Sequence, residues 1–381
     1  MDFSWTAEQL QLREKIIRFV QQELPSNILE LDQQQVFNIE GWQKCSEFGI
    51  LGLPIPLKYG GGEADILTTI YALEALGYAY PDNGLIFALN AHLWACEIPL
   101  LTFGSEAQKQ KYLPNLCRGK FIGGHAITEP EAGSDVYSMK TIAEKRGEKY
   151  ILNGTKSYVS NGTVADLYIV FATVDPSQGK KAITAFIIEK DCPGLEIKRQ
   201  VSKMGLRTAM TGELSFNNCE VYSENRLGKE GAGVAIFTHS MEWERGFILA
   251  SAIGTMERIL NQCIQYARKR KQFGQSIGKF QLVSSKTTDM KVRLETARML
   301  LYKVGWLKKI GKSAVMEAAM TKLYISESWV QTCLDAIQIH GGSGYLTEVE
   351  LERQLRDALG SRIYSGTSDI QRVIISKMMG L

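Results

Sequence analysis

Ala126-Ile-Thr-Glu-Pro-Glu-Ala-Gly-Ser-Asp135 is the string at which this chain changes character. Upstream, residues 1–120 read as helices. Thr6-x-x-Gln9 and Ser105-x-x-Gln108 have the capping-box pattern, and Pro25 closes the helix that Thr6 opens. Helical patterns resume at 67–77 and 85–101. Between them, Lys58-Tyr59-Gly60-Gly61-Gly62 reads as a turn, since no basic residue follows it at phosphate-loop spacing. Downstream, residues 121–228 carry short runs rich in Val, Ile, Tyr and Phe. The turn dipeptides Asn153-Gly154, Asn161-Gly162 and Pro193-Gly194 separate them, and 168–174 and 183–189 are predicted strands. Residues 229–381 return to long helical patterns, roughly 231–270, 280–311, 313–341 and one from Ser368. The prediction is an α+β multidomain chain. A helical N-terminal domain (1–120) precedes a β-barrel or sandwich domain (121–228) and a C-terminal four-helix bundle domain (229–381).

The 381 residues allow two or three domains, and 45% hydrophobic with 22% charged residues is ordinary for a soluble globular chain. A net charge of +3 is no nucleic-acid footprint. Met1-Asp2-Phe3-Ser4 has no basic leader, and no apolar run reaches the roughly 18 residues of a membrane span. The longest candidate, 84–101, contains Asn90, His92 and Glu97. No partnership with nucleic acid or membrane is expected. The seven cysteines are scattered without a CxxC, pointing to unpaired thiols in a reducing cytoplasm. The four histidines are isolated as well, so no metal site is predicted.

Glu244 lies in a stretch, 234–270, that reads as one long helix. Phe237, Met241 and Ile248 form an apolar stripe at helical spacing. Glu244 falls on that stripe, three residues after Met241 and four before Ile248. Glu242 points about 200° away, toward the exposed side. A carboxylate on a buried face is costly unless paired, and burial can raise its pKa by up to roughly 3–5 units. That makes a base suited to work near neutral pH. The alternative is a structural Glu paired with Arg245 or another cation.

Five strings carry further chemistry. The small residues and hydroxyls within 126–135 offer N–H and Oγ donors without bulk, so the loop can receive a phosphate or a flat heterocycle, or serve as a linker turn. In Lys156-Ser-Tyr-Val-Ser-Asn-Gly162, Tyr158 can stack on a ring while Ser160 bonds its edge; alone, it reads as a strand ending in a hairpin. In Arg270-Lys-Gln-Phe-Gly274, Arg270 suits either the helix dipole or a pyrophosphate, with Phe273 on an adenine or flavin. Gln338-Ile-His-Gly-Gly342, followed by Ser343-Gly344-Tyr345, permits close approach of a ligand or caps a helix. Arg362-Ile-Tyr-Ser-Gly-Thr-Ser-Asp-Ile-Gln-Arg372 sets a Gly-Thr-Ser turn at a helix start, where N–H groups and hydroxyls can meet an anion.

In this order and spacing the strings resemble the acyl-CoA dehydrogenase family of flavoproteins, over essentially the whole chain. The resemblance implies a homotetramer with FAD between the β domain and the bundle. It assigns Ile127, Thr128, Gly133 and Ser134 to the flavin and ribityl phosphate. Tyr158, Val159 and Ser160 line the flavin ring, with Ser160 near N5. Arg270, Gln272 and Phe273 hold the ADP half, together with Gln338, Gly341 and Gly342 contributed by a neighbouring subunit, and Thr367 and Asp369 close the site. Many members carry the catalytic Glu directly after the Tyr of the fifth string, where this chain has Ser365. A subgroup similar to isovaleryl-CoA dehydrogenase places it on the first bundle helix, just before an Arg. Met241-Glu-Trp-Glu-Arg245 matches that arrangement. The resemblance therefore implies Glu244 as catalytic base, with Arg245, Tyr364 and Ser365 facing substrate.

Four strings narrow this further: Asn90-Ala-His-Leu-Trp-Ala-Cys-Glu-Ile-Pro99, Ser240-Met-Glu-Trp-Glu244, Asp335-Ala-Ile-Gln338 and Ser361-Arg-Ile-Tyr-Ser-Gly-Thr367. Together they are similar to prolyl-carrier-protein dehydrogenases and oxidases of natural-product pathways, which make pyrrole units of prodigiosin-like pigments or the pyrroline of anatoxin-type alkaloids. The similarity implies oxidation of an L-prolyl thioester, carried on the phosphopantetheine of an acyl or peptidyl carrier protein, to a pyrroline thioester with hydride passing to flavin N5. A four-electron oxidation to pyrrole, a short branched-chain acyl-CoA dehydrogenase and a catalytically silent binding module are the alternatives. O₂ or an electron-transfer flavoprotein would receive the electrons. The runs Arg268-Lys-Arg-Lys271 and Lys308-Lys309-x-x-Lys312 are candidate docking faces for an acidic carrier, or solvated helix faces.

Overall fold

Thr6 opens the first helix as its sequence predicts: its hydroxyl accepts from the Gln9 N–H, and the Gln9 side chain accepts from the Thr6 N–H. In the computed structural model, which describes residues 4–381, that helix is α1 (Ala7–Glu23). Met1–Phe3, part of the leader reading, lie outside the described residues. The N-terminal helices continue as α2 (Ile28–Gln34), α3 (Ile39–Phe48), α4 (Ile66–Ala79), α5 (Asn83–Ala91), α6 (Ile98–Phe103) and α7 (Glu106–Cys117), the last opened by the Ser105 capping box. A π-helical turn, His92–Glu97, joins α5 to α6. The resulting helix is long and apolar enough to cross a membrane by length and composition, yet its apolar window is largely buried inside the protein.

The strands are β1 (Gly123–Ala126), β2 (Ile142–Arg146), β3 (Lys149–Ser160), β4 (Leu167–Thr173), β5 (Ile183–Glu189), β6 (Leu195–Gln200), β7 (Thr211–Tyr222) and β8 (Arg226–Leu227). They form one eight-stranded sheet in the order β6-β7-β3-β1-β4-β5-β8, with β2 pairing β3 and β4. Every residue of β4 is buried, as expected of a strand covered on both faces. Two turn readings are corrected. Asn153-Gly154 lies inside β3, where pairing to β7 slips from Leu152↔Cys219 to Gly154↔Phe216. Long-range pairing there converts a local turn signal into a bulge. Nor does Asn161-Gly162 make a hairpin, because β1 lies between β3 and β4, pairing with both.

The bundle comprises α8 (Gly233–Phe247), α9 (Ala250–Lys269), α10 (Gln281–Lys309), α11 (Val315–His340), α12 (Leu351–Gly360) and α13 (Ser368–Met378). A two-residue ribbon, β9 (Lys271–Gln272) with β10 (Gln275–Ser276), follows α9. The long helix expected over 234–270 is two helices, broken at Ile248–Leu249. Helix α12 was not anticipated from the sequence pattern. Helices α4 and α9 cross at unusually close range. A Cβ at Gly77 would stand 1.9 Å from Ser251 O, and one at Gly254 1.9 Å from Glu74 O. Beside this crossing the buried Glu74 accepts from Arg298 Nη2 (2.7 Å) and Tyr302 Oη (2.6 Å), so the N-terminal helices and the bundle share one interior.

Candidate active site

Helix α8 sets Phe237, Met241 and Glu244 on one buried face, with Ile248 buried at its C-cap, as the stripe predicts. Trp94, from the Asn90–Pro99 string, supports that helix, stacking on Trp243 at 6.2 Å and packing tilted against Phe247 at 5.3 Å between ring centroids. Glu242 is not exposed as expected. Its carboxylate meets Lys308 Nζ at 2.6 Å and accepts from the Ala314 N–H, because α10 packs over the side that a lone helix would leave to water. The same pair removes Lys308 from the candidate docking face, and Lys309 is taken by Asp65 at 2.7 Å.

Opposite Glu244 stands the loop between α12 and α13. Ser365 Oγ donates to Glu244 Oε1 at 2.5 Å. Ser365 and Gly366 are successive left-handed residues, with φ of 57° and 88°. For serine this conformation is disfavoured by about 1–2 kcal/mol, so the turn needs support. Arg245 Nε donates to Ser365 O (3.1 Å), Gln371 Nε2 to Ser365 O (3.2 Å) and Gly366 O (2.8 Å), and Lys322 Nζ to Gly366 O (2.8 Å). The Ser365 N–H makes no hydrogen bond among the described residues, leaving a donor beside the carboxylate. Thr367 caps α13 through its hydroxyl. Tyr364 packs on Phe87 at 4.6 Å. Burial pushes the Glu244 carboxyl above the usual range, against the Ser365 hydroxyl and the cations of Arg245 and Lys322. Burial, then Arg245, pushes the Lys322 amine down to about 7.

The two β-domain strings meet. The Ser157 N–H donates to Thr128 O at 2.8 Å, and His125 pairs with Ser160 in register. A buried ion pair, Lys156 Nζ–Glu129 at 2.7 Å, pins the loop to the strand, and Lys156 also donates to Ile127 O. Ile127 and Val159 are buried, whereas Tyr158 projects, 68% exposed, from a bulge where its φ is 55°. A Cβ on Gly133 would meet nothing within 4 Å. Ser134 is exposed on the same loop.

Arg270, Gln272 and Phe273 lie at the end of α9 and are exposed, Phe273 at 93%. Gln338, Gly341 and Gly342 lie at the end of α11, with open space where a Cβ on either glycine would stand. Tyr266 and His340 stack at 4.2 Å and hold these helix ends together. No hydrogen bond, ion pair or ring contact joins them to Glu244 among the described residues. Asp369 is a surface residue, paired with Arg372 at 3.1 Å.

Sequence models of the acyl-CoA dehydrogenase N-terminal, middle and C-terminal domains match residues 6–120, 124–219 and 231–380. An L-prolyl-[peptidyl-carrier protein] dehydrogenase of Serratia sp. (strain ATCC 39006) is 42% identical over 381 residues, 100% of this chain and 99% of that protein. The chain belongs to the acyl-CoA dehydrogenase family. Among solved structures, the prolyl acyl carrier protein oxidase AnaB is 63% identical with a TM-score of 0.98, over 99% of this chain and 100% of that one. PigA, solved with FAD and proline, is 41% identical with a TM-score of 0.97, over the full length of both chains.

Sequence reasoning missed Lys322, Gln371, Lys156 and Glu129. Lys322 carried a signal: Ala318, Lys322, Ile325 and Trp329 recur at helical spacing and are all buried. A polar residue on that stripe is informative in the same way as Glu244.

Proposed function

We propose that this enzyme uses FAD to oxidise an L-prolyl thioester, held on the phosphopantetheine arm of a carrier protein, to the pyrroline thioester, with Glu244 as base. The observation that carries the reading is the buried Glu244 carboxylate, bonded to Ser365 on the turn where many relatives bear their own Glu.

The residues present fit FAD. Thr128, Ser134 and Ser160 offer hydroxyls on the loop and strand that carry the exposed Tyr158, and the open face at Gly133 admits a bulky group. Arg270 makes no ion pair among the described residues and suits a pyrophosphate. Gln272 and Phe273 would hold the ADP half with Gln338, Gly341 and Gly342 of a second copy. When bound, FAD supplies the hydride acceptor. The chain's own part is proton chemistry and charge stabilisation. Glu244 takes the proton from the prolyl α-carbon. The Ser365 N–H, without a hydrogen bond among the described residues, would donate to the thioester oxygen as negative charge grows there, an effect worth about 3–4 kcal/mol per donor. Glu244 can return the proton when the enamine isomerises to the imine.

The test is anaerobic mixing of the FAD-loaded enzyme with prolyl-carrier protein or isovaleryl-CoA, followed by mass spectrometry of the carrier-bound product. Flavin bleaching by the prolyl substrate with loss of two hydrogens is the expected result. Loss of four would make the product a pyrrole. Bleaching by isovaleryl-CoA alone would make the enzyme an acyl-CoA dehydrogenase, and no bleaching a silent module.

A further inference from the structure

Lys322 is fully buried on α11, and among the described residues its ammonium has a single hydrogen-bond acceptor, Gly366 O at 2.8 Å. An ammonium is an expensive way to fill interior volume that a methionine of similar size fills without charge. The groups facing it are Glu244 and Arg245 on α8, Glu327 on its own helix, and the Tyr364 ring, whose centroid lies 5.9 Å from Nζ. The carbonyl it holds belongs to the second of two left-handed residues, and the first of those is Ser365, whose hydroxyl reaches Glu244. Arg245 and Gln371 hold the other side of the same turn. Lys322 thus reaches the carboxylate in two ways, through the turn and through its own charge.

We propose that Lys322 is a positioning residue for the base: its ammonium locks the Ser365–Gly366 turn so that the Ser365 hydroxyl stays on Glu244, and it supplies a cation that favours the ionised carboxylate. This deepens the reading of Glu244 as base and rests on it. In the absence of the ammonium the turn relaxes and the carboxylate loses a hydrogen bond and a nearby positive charge, both of which favour ionisation. The Glu244 midpoint then moves up, and less base is present at neutral pH. Burial keeps the amine near 7, so its charge is full only below that pH.

The test uses FAD-loaded enzyme with Lys322→Met and Lys322→Gln. The ionisation of Glu244 is followed by the infrared band of its protonated carboxyl, assigned by its loss in Glu244→Gln. Lys322→Met should raise the midpoint by at least one pH unit. It should also slow flavin reduction by prolyl-carrier protein at least tenfold at pH 7, with the carrier's binding constant within threefold of wild type. Lys322→Gln keeps an N–H for Gly366 O and loses the charge, so its midpoint should rise by less; it carries the test if the methionine variant does not fold. An unmoved midpoint in the variants overturns the proposal, even where the rate falls, because a purely structural lysine would slow the enzyme without retuning Glu244. The titration needs no substrate. If wild-type enzyme reduces no flavin with prolyl thioester, the substrate reading fails while the midpoint still judges Lys322.

Discussion

The two ends of the bundle treat charge in opposite ways. Around Glu244, the carboxylate and the Lys322 ammonium are buried, Arg245 and the strained turn are half-buried, and hydrogen bonds within the chain tie the turn to all three side chains. At the far ends of α9 and α11, Arg270, Gln272 and Phe273 stand exposed beside glycines with open space around them. Burial is what retunes an acid, so the base must lie in the interior, where one chain can supply every partner. Gripping an ADP group asks for accessible donors and an aromatic face, which belong on a surface that a second copy can reach. On the proposed reading, a second copy would complete the exposed end.

That contrast is easiest to break at Glu244. Glu244→Gln keeps the shape and removes the base. Turnover should fall by about 10²–10⁴-fold, the usual worth of a positioned general base. FAD content, measured by absorbance, should stay at the wild-type level. A variant that keeps near-normal turnover would falsify the assignment. The other end should fail differently. Arg270→Ala removes a charge-assisted contact worth about 1.5–3 kcal/mol, so FAD should bind roughly 10–100-fold more weakly. Fluorescence titration of FAD into apo-protein reads this directly. At saturating FAD, flavin reduction should recover to within about threefold of wild type. A variant that binds FAD normally would show that Arg270 is only a helix-end cation.

Much of this contrast is legible in the chain, wherever the deciding physics is local. Capping boxes at Thr6 and Ser105 are contacts over three residues and form as expected. The Glu244 stripe needs only the helical period, and it places that carboxylate in the interior. Glu242 shows where such reasoning stops: its direction on the helix follows from the period, but α10 covers that side and brings Lys308 to it. Asn153-Gly154 is a sound local turn signal overridden by pairing with a strand more than sixty residues later. The break at Ile248–Leu249 has no mark in those residues. It lies next to Ser251, whose backbone is pressed against Gly77 of α4, a contact visible only once the helices are assembled. Cys192 and Cys219 look scattered along the chain, yet their sulfurs lie 3.4 Å apart as free thiols. Lys322 went unrecognised because lysines are normally solvated, and its acceptor is a carbonyl 44 residues away.

Ser365→Ala should give the smallest effect and sharpens the account of the buried end most. The serine hydroxyl donates to the ionised carboxylate and so lowers the Glu244 pKa against the larger upward push of burial. Without it the folded-state midpoint rises. A hydrogen bond to a charged group at the weak end of its range is worth about 1.5 kcal/mol, equivalent to roughly one pH unit. A base must be ionised to act, so the acidic limb of flavin reduction against pH should move up by about that amount. The rate at fixed pH should drop by about tenfold on the limb and return toward wild type above it. The direction distinguishes this variant from Glu244→Gln, which no rise in pH rescues. A profile that stays in place would mean that Ser365 fills space near the carboxylate without tuning it, and that Arg245 and Lys322 alone offset its burial.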